Sequence, residues 1–240
     1  MTETFTALLL AHVIADFVLQ PGWMAADKRR ARVLLLHGAV VLVAAQATLG
    51  TVTALPVLVL ALAHVAIDAA KSRLAPRPTT LAFLADQAAH LATLLAVTLW
   101  SPDLWAGGLW AGVAPLPGLM ALAAGAVVAT RVGGFAVGLL MEPWSAAAPP
   151  GGLPGAGRTI GLLERGLIFV LILAGQPAGI GFLIAAKSIL RFEATTAEKP
   201  TGEYVIIGTL ASFGWGIVTG YLTLTLLSAL PPLGIPARTP

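Results

Sequence analysis

The sequence predicts an all-α fold, a polytopic transmembrane helical bundle of about seven to eight spans. Hydrophobic residues make up 58% of the 240 positions, and the charged residues are 14 Lys and Arg with 11 Asp and Glu. Charged residues average about 25% of a soluble domain, so 10% is too few to solvate a globular surface of this size. The apolar segments also repeatedly approach the roughly 20 residues that cross a bilayer.

The first half contains four apolar segments with the length of spanning helices. They are predicted at about residues 5–20, 33–49, 52–71 and 79–100. Pro21-Gly22 ends the first segment because proline does not continue a helix. The uncharged turn Gly50-Thr51 separates the second segment from the third, and Pro78 precedes the fourth.

The second half contains four further segments. They are predicted within residues 119–141 and at about residues 159–175, 178–191 and 204–230. Residues 142–158 hold four prolines and are predicted as a loop. The segments that meet at Gln176-Pro177 form either one hairpin or one broken helix. The predicted division is an N-terminal membrane half at 1–141, a loop at 142–158, a C-terminal membrane half at 159–230 and a tail at 231–240.

Most basic residues fall in alternate connections between these segments. They are Lys28, Arg29, Arg30 and Arg32, then Lys71, Arg73 and Arg77, then Arg158, and then Lys187, Arg191 and Lys199. Cytoplasmic loops carry the excess of Lys and Arg, so the pattern predicts that these loops face the cytoplasm and that both termini lie outside. The first segment lacks a basic n-region, which predicts a retained helix rather than a signal peptide.

All four histidines lie in predicted spans of the first half, and three of them have a carboxylate four residues away. The pairs are His12 with Asp16, His64 with Asp68, and His90 with Asp86. Residues four apart on a helix lie on one face, so each pair can bind one ion or form a hydrogen bond. The fourth histidine, His37, lies just inside the second segment. Ionisable groups inside spanning helices are costly and usually mark a functional site.

The polar residues of the four segments also share one depth. Measured from the basic loops, Asp16, His37, Asp68 and Asp86 lie roughly 5 to 11 Å below the cytoplasmic face, with the paired histidines up to about 7 Å deeper. Four helices that run in alternating directions therefore bring these groups to one level. We expect a polar site that opens toward the cytoplasm.

The chemistry of this predicted site suits a divalent metal, with zinc as the first candidate. The chain has no cysteine, and imidazole with carboxylate ligands suits Zn²⁺, Mn²⁺ or Fe²⁺. The candidate ligands are His12, Asp16, His37, His64, Asp68, Asp86 and His90, and the aspartates are also the candidate catalytic bases. Seven candidates exceed the three protein ligands that are typical of one catalytic zinc. Either two ions bind or some of these residues are outer-shell, as expected for Gln20 and Gln87. In the alternative interpretation, each Asp accepts a hydrogen bond from its His and the pairs only hold helices together.

The second half carries a separate set of charges near the same predicted level. These are Glu164, Arg165, Lys187, Arg191 and Glu203. Pairs of Glu164 with Lys187 or Arg191, and of Arg165 with Glu203, would neutralise them in a structural network. In the functional interpretation, Arg165, Lys187 and Arg191, together with Lys71, bind an anionic headgroup or phosphate.

Residues 8–20, which read LLLAHVIADFVLQ, resemble the opening of a family of bacterial integral-membrane proteins called domain of unknown function 3307. The resemblance continues through Leu36-His37-Gly38, through residues 64–68 with Lys71, and through Asp86-Gln87 with His90. Residues 160–165, 186–192 and 203–210 resemble the second half of longer members. The resemblance implies a multi-pass protein of the bacterial cytoplasmic membrane. It does not imply a particular reaction.

These observations favour a metal-dependent hydrolase that acts on a phosphate-containing or lipid-linked substrate. The first alternative is a transporter for metal ions or protons, which needs polar residues that continue to the far membrane face. The second alternative is a membrane scaffold with a structural polar network. No Walker A, Gly-x-Ser-x-Gly or His-Glu-x-x-His motif is present. The expected partners are membrane lipids and not nucleic acid.

Overall fold

The structure, a computed structural model, describes residues 1–75, 77–147, 153–192 and 199–233, and it leaves out the side chains of residues 190–192 and 199. All regular secondary structure in these described residues is helical. The all-α fold predicted from the sequence is therefore confirmed.

The chain divides into two compact units. The first comprises Met1–Ala124 with Thr225–Pro240, and the second comprises Gly125–Leu224. The division into halves at residues 1–141 and 159–230 stays a prediction. Each unit is described below by itself.

The first unit is built from four long helices and one short helix. They are α1 (Thr2–Phe17), the short α2 (Gly22–Ala26), α3 (Ala31–Leu49), α4 (Leu55–Leu74) and α5 (Thr80–Trp100). Helix α1 packs against α3 and α5, α3 packs against α4, and α4 packs against α5. Leu8, Leu49, Leu60 and Leu94 are among the buried apolar residues that fill the space between them. The four helices thereby face one another around a common interior.

The observed ends differ by a few residues from the predicted ones. Helix α1 ends at Phe17 rather than near residue 20, and α2 follows Pro21 where the sequence predicted only a break. Helix α5 begins one residue after the predicted start because the Thr79 hydroxyl accepts a hydrogen bond from the Ala82 N–H.

The remaining helical segments of the described residues belong mainly to the second unit, but residues 116–124 and 225–228, at the ends of two of them, belong to the first. After α6 (Leu116–Val127) come a π-helical segment (Val128–Val132), α7 (Gly133–Met141), a 3-10 helix (Glu142–Ala147), α8 (Ala156–Leu173), α9 (Gly179–Phe192) and α10 (Lys199–Ser228). Within the loop predicted at residues 142–158, residues 142–147 are 3-10 helical and α8 begins at residue 156. Residues 148–152 of that predicted loop lie outside the described residues, as do residues 234–240 of the predicted tail.

Helices α8 and α9 are separate and form a hairpin, which decides between the two alternatives for this region. Gly175 adopts the left-handed conformation with φ of +69°, which glycine reaches without steric cost. The Gln176 N–H then donates to the Leu171 carbonyl, and this bond closes the end of α8.

Five helical stretches in the described residues are long and apolar enough to cross a membrane. They are Ala31–Leu49, Leu55–Leu74, Thr80–Trp100, Leu116–Ala147 and Pro200–Ser228. These helices indicate a membrane protein with transmembrane helices. Helix α1 has 16 residues and falls below this length. The count of seven to eight spans stays a prediction.

Candidate metal centre

Four side chains from three helices meet at the centre of the first unit. Asp16 comes from α1, His37 from α3, and His64 with Asp68 from α4. We call these four residues the tetrad. Their side chains are at most 7% exposed, and His37 is fully buried. The convergence predicted from depth along the helices is therefore present in the structure.

The tetrad atoms are arranged at the spacing of metal ligands. His37 Nε2 lies 3.1 Å from Asp16 Oδ1, 3.1 Å from His64 Nε2 and 3.5 Å from Asp68 Oδ2. His64 Nε2 lies 3.2 Å from Asp16 Oδ1 and 3.5 Å from Asp68 Oδ2. A tetrahedron of ligands at zinc distances has edges of about 3.3 to 3.4 Å. Five of the six distances within this group thus lie near the spacing of zinc ligands. Asp16, His37 and His64 together form one possible ligand group.

Hydrogen bonds alone do not satisfy this arrangement. Each imidazole Nε2 carries at most one proton, and an ionised carboxylate carries none. Two protons therefore leave most of the five close approaches among His37, His64, Asp16 and Asp68 without a bridging hydrogen. A cation at the centre would satisfy all four atoms together and offset the two buried carboxylates.

A second group shares Asp68 with the tetrad. Asp68, Asp86 and His90 bring one ligand atom each to within 4.8 Å of one another, and we call these three residues the triad. His90 Nε2 lies 3.5 Å from Asp86 Oδ1 and 3.9 Å from Asp68 Oδ1. The His90 ring also stacks on the His64 ring with centroids 4.0 Å apart. Asp68 thus presents one carboxylate oxygen to each group.

His12 lies beside both groups without joining the tetrad. Its Nε2 is 3.3 Å from Gln87 Oε1, and its Nδ1 is 3.7 Å from Asp16 Oδ2. It also forms a third possible ligand group with His64 and His90. The Gln87 amide in turn donates to Asp86 Oδ2, so this glutamine connects His12 to the triad, as an outer-shell residue would.

Buried polar atoms that lack a hydrogen-bond partner concentrate at this cluster. Among the described residues they are His12 Nδ1, Gln20 Oε1, His37 Nδ1, Asp86 Oδ1, His90 Nε2 and Thr98 Oγ1. Five of these six atoms belong to residues predicted for the site. Most buried polar atoms in proteins are satisfied, so the residues present fit a ligand that accepts electron pairs, in particular at Asp86 and His90.

Two lysines reach the carboxylates from the end of the helices where the basic loops lie. Lys28 donates to Asp68 Oδ2 at 2.7 Å, and Lys71 donates to Asp86 Oδ2 at 2.7 Å. Lys71 is a predicted site residue, whereas Lys28 was predicted only as part of a basic loop. Sequence spacing could not have predicted this role of Lys28. The residue lies between α2 and α3, 40 residues before Asp68, and only the path of the chain brings the two side chains together.

Close packing between α3 and α4 sets the distance between the two central histidines. A Cβ added to Gly38 would clash with Val65 Cγ2. Gly38 follows His37 and Val65 follows His64 in the sequence. The absence of a side chain at residue 38 lets the two helix backbones approach, as small residues do in membrane bundles. This approach accounts for the 3.1 Å between the two Nε2 atoms.

The interior on the other side of the histidines is apolar. A small cavity of about 10 Å³, beside His12, His64 and His90, is otherwise lined mainly by Leu8, Ala11, Val41, Ala45, Leu60 and Leu94. A space of this size holds about one water molecule. Within the described part of the first unit, the buried histidines and carboxylates therefore lie on the lysine side of this cavity, and the buried polar residues beyond it are threonines, namely Thr4, Thr6 and Thr98.

The predicted charges of the second unit form one of the expected pairs. Glu164 accepts from Lys187 Nζ at 2.8 Å, as predicted. The predicted partner of Arg165, Glu203, is exposed. Arg165 instead donates to the carbonyls of Ala129 and Thr130 and to the Ser212 hydroxyl. The side chain of Arg191 lies outside the described residues.

Fold and site together define a helical membrane protein with a buried cluster of histidine and aspartate. Residues 4–106 match the model of a family described as "Protein of unknown function (DUF3307)". The matched segment contains every member of the tetrad and the triad, and it confirms the resemblance predicted for the first half. The resemblance of the second half lies outside this match and stays a prediction. Neither the curated proteins nor the solved structures give a significant match to the chain.

Proposed function

We propose that the first unit holds divalent metal and hydrolyses a phosphate-containing or lipid-linked substrate. The observation that carries the metal site is the close spacing of Asp16, His37, His64 and Asp68, whose ligand atoms lie 3.1 to 3.5 Å apart in five of the six pairs. Zinc binds imidazole and carboxylate ligands at this spacing when no thiolate is available.

The triad is the proposed position of a second ion. Asp68, Asp86 and His90 would hold this ion, and Asp86 Oδ1 and His90 Nε2 are buried and lack other partners. The tetrad would offer four protein ligands, whereas the triad would offer three. Three protein ligands and one open position are typical of catalytic zinc. We therefore assign the reacting water to the triad and a tightly held ion to the tetrad.

The chemistry of the proposed reaction is metal-assisted hydrolysis. A bound divalent ion lowers the pKa of its water and polarises the substrate. Water adds at phosphorus while the ester P–O bond breaks, one proton of the water passes to a carboxylate, and the leaving oxygen gains a proton. Asp16 is the proposed base: its Oδ1 makes the close contacts of the tetrad, whereas its Oδ2 lies 3.7 Å from His12 Nδ1.

The lysines are the proposed binding groups for the anionic part of the substrate. Lys71 is 37% exposed and contacts Asp86 of the triad, whereas Lys28 is 12% exposed and contacts Asp68. When metal ions bind the carboxylates, the ammonium groups of both lysines can donate hydrogen bonds to phosphate oxygens of the substrate. In the bacterial cytoplasmic membrane that we propose as the location, this end faces the cytoplasm. The apolar interior beyond His12, His64 and His90 supports a one-sided site over a transport path.

The substitution Asp86→Asn should lower the metal content from two ions per chain to one. Asn keeps the shape of the side chain but removes the negative charge at the triad, and the tetrad stays intact. Elemental analysis of purified protein after dialysis against limiting zinc gives the count. Asp103→Asn is the matched control, because Asp103 is exposed in the same unit. Two ions in both variants would contradict the assignment of the triad.

The hydrolase itself is tested by phosphate release. We expect zinc- or manganese-loaded protein in nanodiscs to release phosphate from dioleoyl phosphatidic acid or from an isoprenyl diphosphate, and we expect Asp86→Asn to lower kcat by at least about a hundredfold. Asp103→Asn should match the native chain. Metal-loaded protein that releases no phosphate from either lipid would overturn the hydrolase proposal while leaving the metal site intact, and ion flux into vesicles would then test transport.

A further inference from the structure

The second unit contains a cavity of about 1150 Å³ with a predominantly cationic polar lining. Its charged lining residues are Arg131, Arg158, Arg165, Lys187 and Glu164. Glu164 is already neutralised by the Lys187 ammonium at 2.8 Å. The described lining residues of this cavity thus carry four basic groups and one carboxylate. Arg165 is buried, whereas Arg131 and Arg158 are exposed. A buried guanidinium that has no ion pair among the described residues favours a site for an anion in a membrane protein.

Arg165 is held rigidly at this cavity and retains unused hydrogen-bond donors. Its side chain is 3% exposed, and its three nitrogens each donate one hydrogen bond within the unit. A guanidinium has five N–H donors, so one N–H remains on each terminal nitrogen. Arg165 takes part in none of the ion pairs among the described residues, and its acceptors are neutral oxygens. A fixed guanidinium with two spare N–H groups matches two oxygens of a phosphate.

Two glycines keep the space next to these terminal nitrogens open. A Cβ at Gly161 would lie 2.9 Å from Arg165 Nη1, and a Cβ at Gly134 would lie 3.3 Å from Nη2. Both glycines line the cavity. The hydroxyl groups of Tyr204, Thr209 and Ser212 belong to residues of the same lining. The polar end of the cavity therefore combines a guanidinium, an ammonium and hydroxyl groups, which suits a tetrahedral oxyanion.

The rest of the lining is apolar and faces the surroundings of the unit. Phe135 is 58% exposed, Leu153 is 82% exposed, and Ile160 and Leu162 are each just over 40% exposed. A free inorganic anion would leave this apolar surface uncovered. An amphiphile would cover it with its hydrocarbon chain while its headgroup contacts the cations. The volume also exceeds the roughly 300 to 1,000 Å³ of small-molecule sites.

We propose that this cavity binds an anionic lipid through a phosphate monoester headgroup. The phosphate contacts the two spare N–H groups of Arg165, and Arg158 supplies a further charge at the exposed edge, where it has no hydrogen-bond or ion-pair partner among the described residues. The hydrocarbon chain lies along Phe135 and Leu162. The site belongs to the second unit alone, so the inference does not depend on the proposed metal centre.

Two alanine substitutions on one helix turn test the site without changing any charge. Gly161→Ala places a methyl group against Arg165 Nη1, whereas Gly157→Ala, one turn earlier and also in the cavity lining, meets nothing within 4 Å. Both replacements favour the helix. Native mass spectrometry of the full chain, titrated with dioleoyl phosphatidic acid, measures the binding. We expect at least one lipid per native chain, binding weakened about tenfold or more by Gly161→Ala, and no change for Gly157→Ala.

A second pair of variants tests the charge, and two further ligands test the chemical class. Arg158→Gln should weaken binding of phosphatidic acid, whereas Arg77→Gln, an exposed loop arginine of the other unit, should not. Dioleoyl phosphatidylcholine should bind at least about tenfold more weakly than phosphatidic acid. Equal binding by the Gly161→Ala and Gly157→Ala variants, or of the two lipids, would overturn the site. Inorganic phosphate that binds as tightly as phosphatidic acid would overturn the lipid assignment. Melting temperatures establish that each variant is folded, and protein treated with chelator should bind the lipid unchanged.

Discussion

Replacing both His64 and Asp68 with alanine is expected to remove all bound metal from the first unit. His64 is a tetrad ligand, and Asp68 contributes one oxygen to the tetrad and one to the triad. Loss of outer-shell partners alone typically costs about 10- to 100-fold in metal affinity, so loss of these direct ligands should cost more. Elemental analysis should therefore fall from two ions per chain to nearly none.

The matched control changes the same helix on its exposed face. Leu58→Ala with Leu62→Ala alters two positions of α4 that are 45% and 60% exposed, and it should keep both ions. A thermal melt supplies an independent measurement, because a ligand that binds only the folded state raises the melting temperature. Zinc should stabilise the native chain and the control but not the His64→Ala, Asp68→Ala variant. Equal, negligible metal in native and variant protein would end the metal proposal.

The part of the site that sequence reasoning could predict is the part set by one helix. The pairs His12 with Asp16, His64 with Asp68, and His90 with Asp86 follow from the helical period, and each pair is in contact or near contact in the structure. The positions of the basic loops and the rise per residue of a helix also suffice to predict that these pairs lie at a common depth. These relations need no knowledge of how the helices pack.

The contacts between helices could not be predicted from spacing. The tetrad depends on Asp16, His37 and His64 from three helices, and nothing in their sequence separation indicates which nitrogen faces which oxygen. The contact between Lys28 and Asp68 likewise depends on the path of the chain after α2. A basic residue in a loop has many possible partners, so its type and position indicate orientation in the membrane rather than one contact.

Arg165 shows a second reason why sequence reasoning fails. Charge complementarity predicted a carboxylate partner, but the π-helical segment at Val128–Val132 presents carbonyl oxygens of Ala129 and Thr130 to the guanidinium. A π-helical turn changes the backbone hydrogen-bond pattern and often occurs at functional sites. The sequence carries no clear signal for such a turn, and the apolar segment was therefore predicted as one regular helix.

Gly38→Ala is expected to separate the two central histidines although it changes no polar group. The new methyl would clash with Val65 Cγ2, so α3 must move away from α4 or Val65 must shift. Overpacking of this kind typically lowers the free energy of unfolding by about 1 to 3 kcal/mol. We expect a lower melting temperature and loss of the tetrad ion, because the 3.1 Å approach of the two Nε2 atoms depends on this contact. Elemental analysis and a thermal melt measure both effects.

A second substitution distinguishes this packing effect from a general loss of folding. Val65→Ala in the Gly38→Ala background removes the methyl groups that the new side chain meets, so metal binding and stability should return toward the native values. Gly22→Ala is the control for the glycine replacement itself, since an added Cβ there meets nothing within 4 Å. Gly38→Ala that keeps both ions and native stability would contradict the assignment. In that case the spacing of His37 and His64 would be held by the polar contacts of the tetrad itself rather than by the packing of α3 on α4.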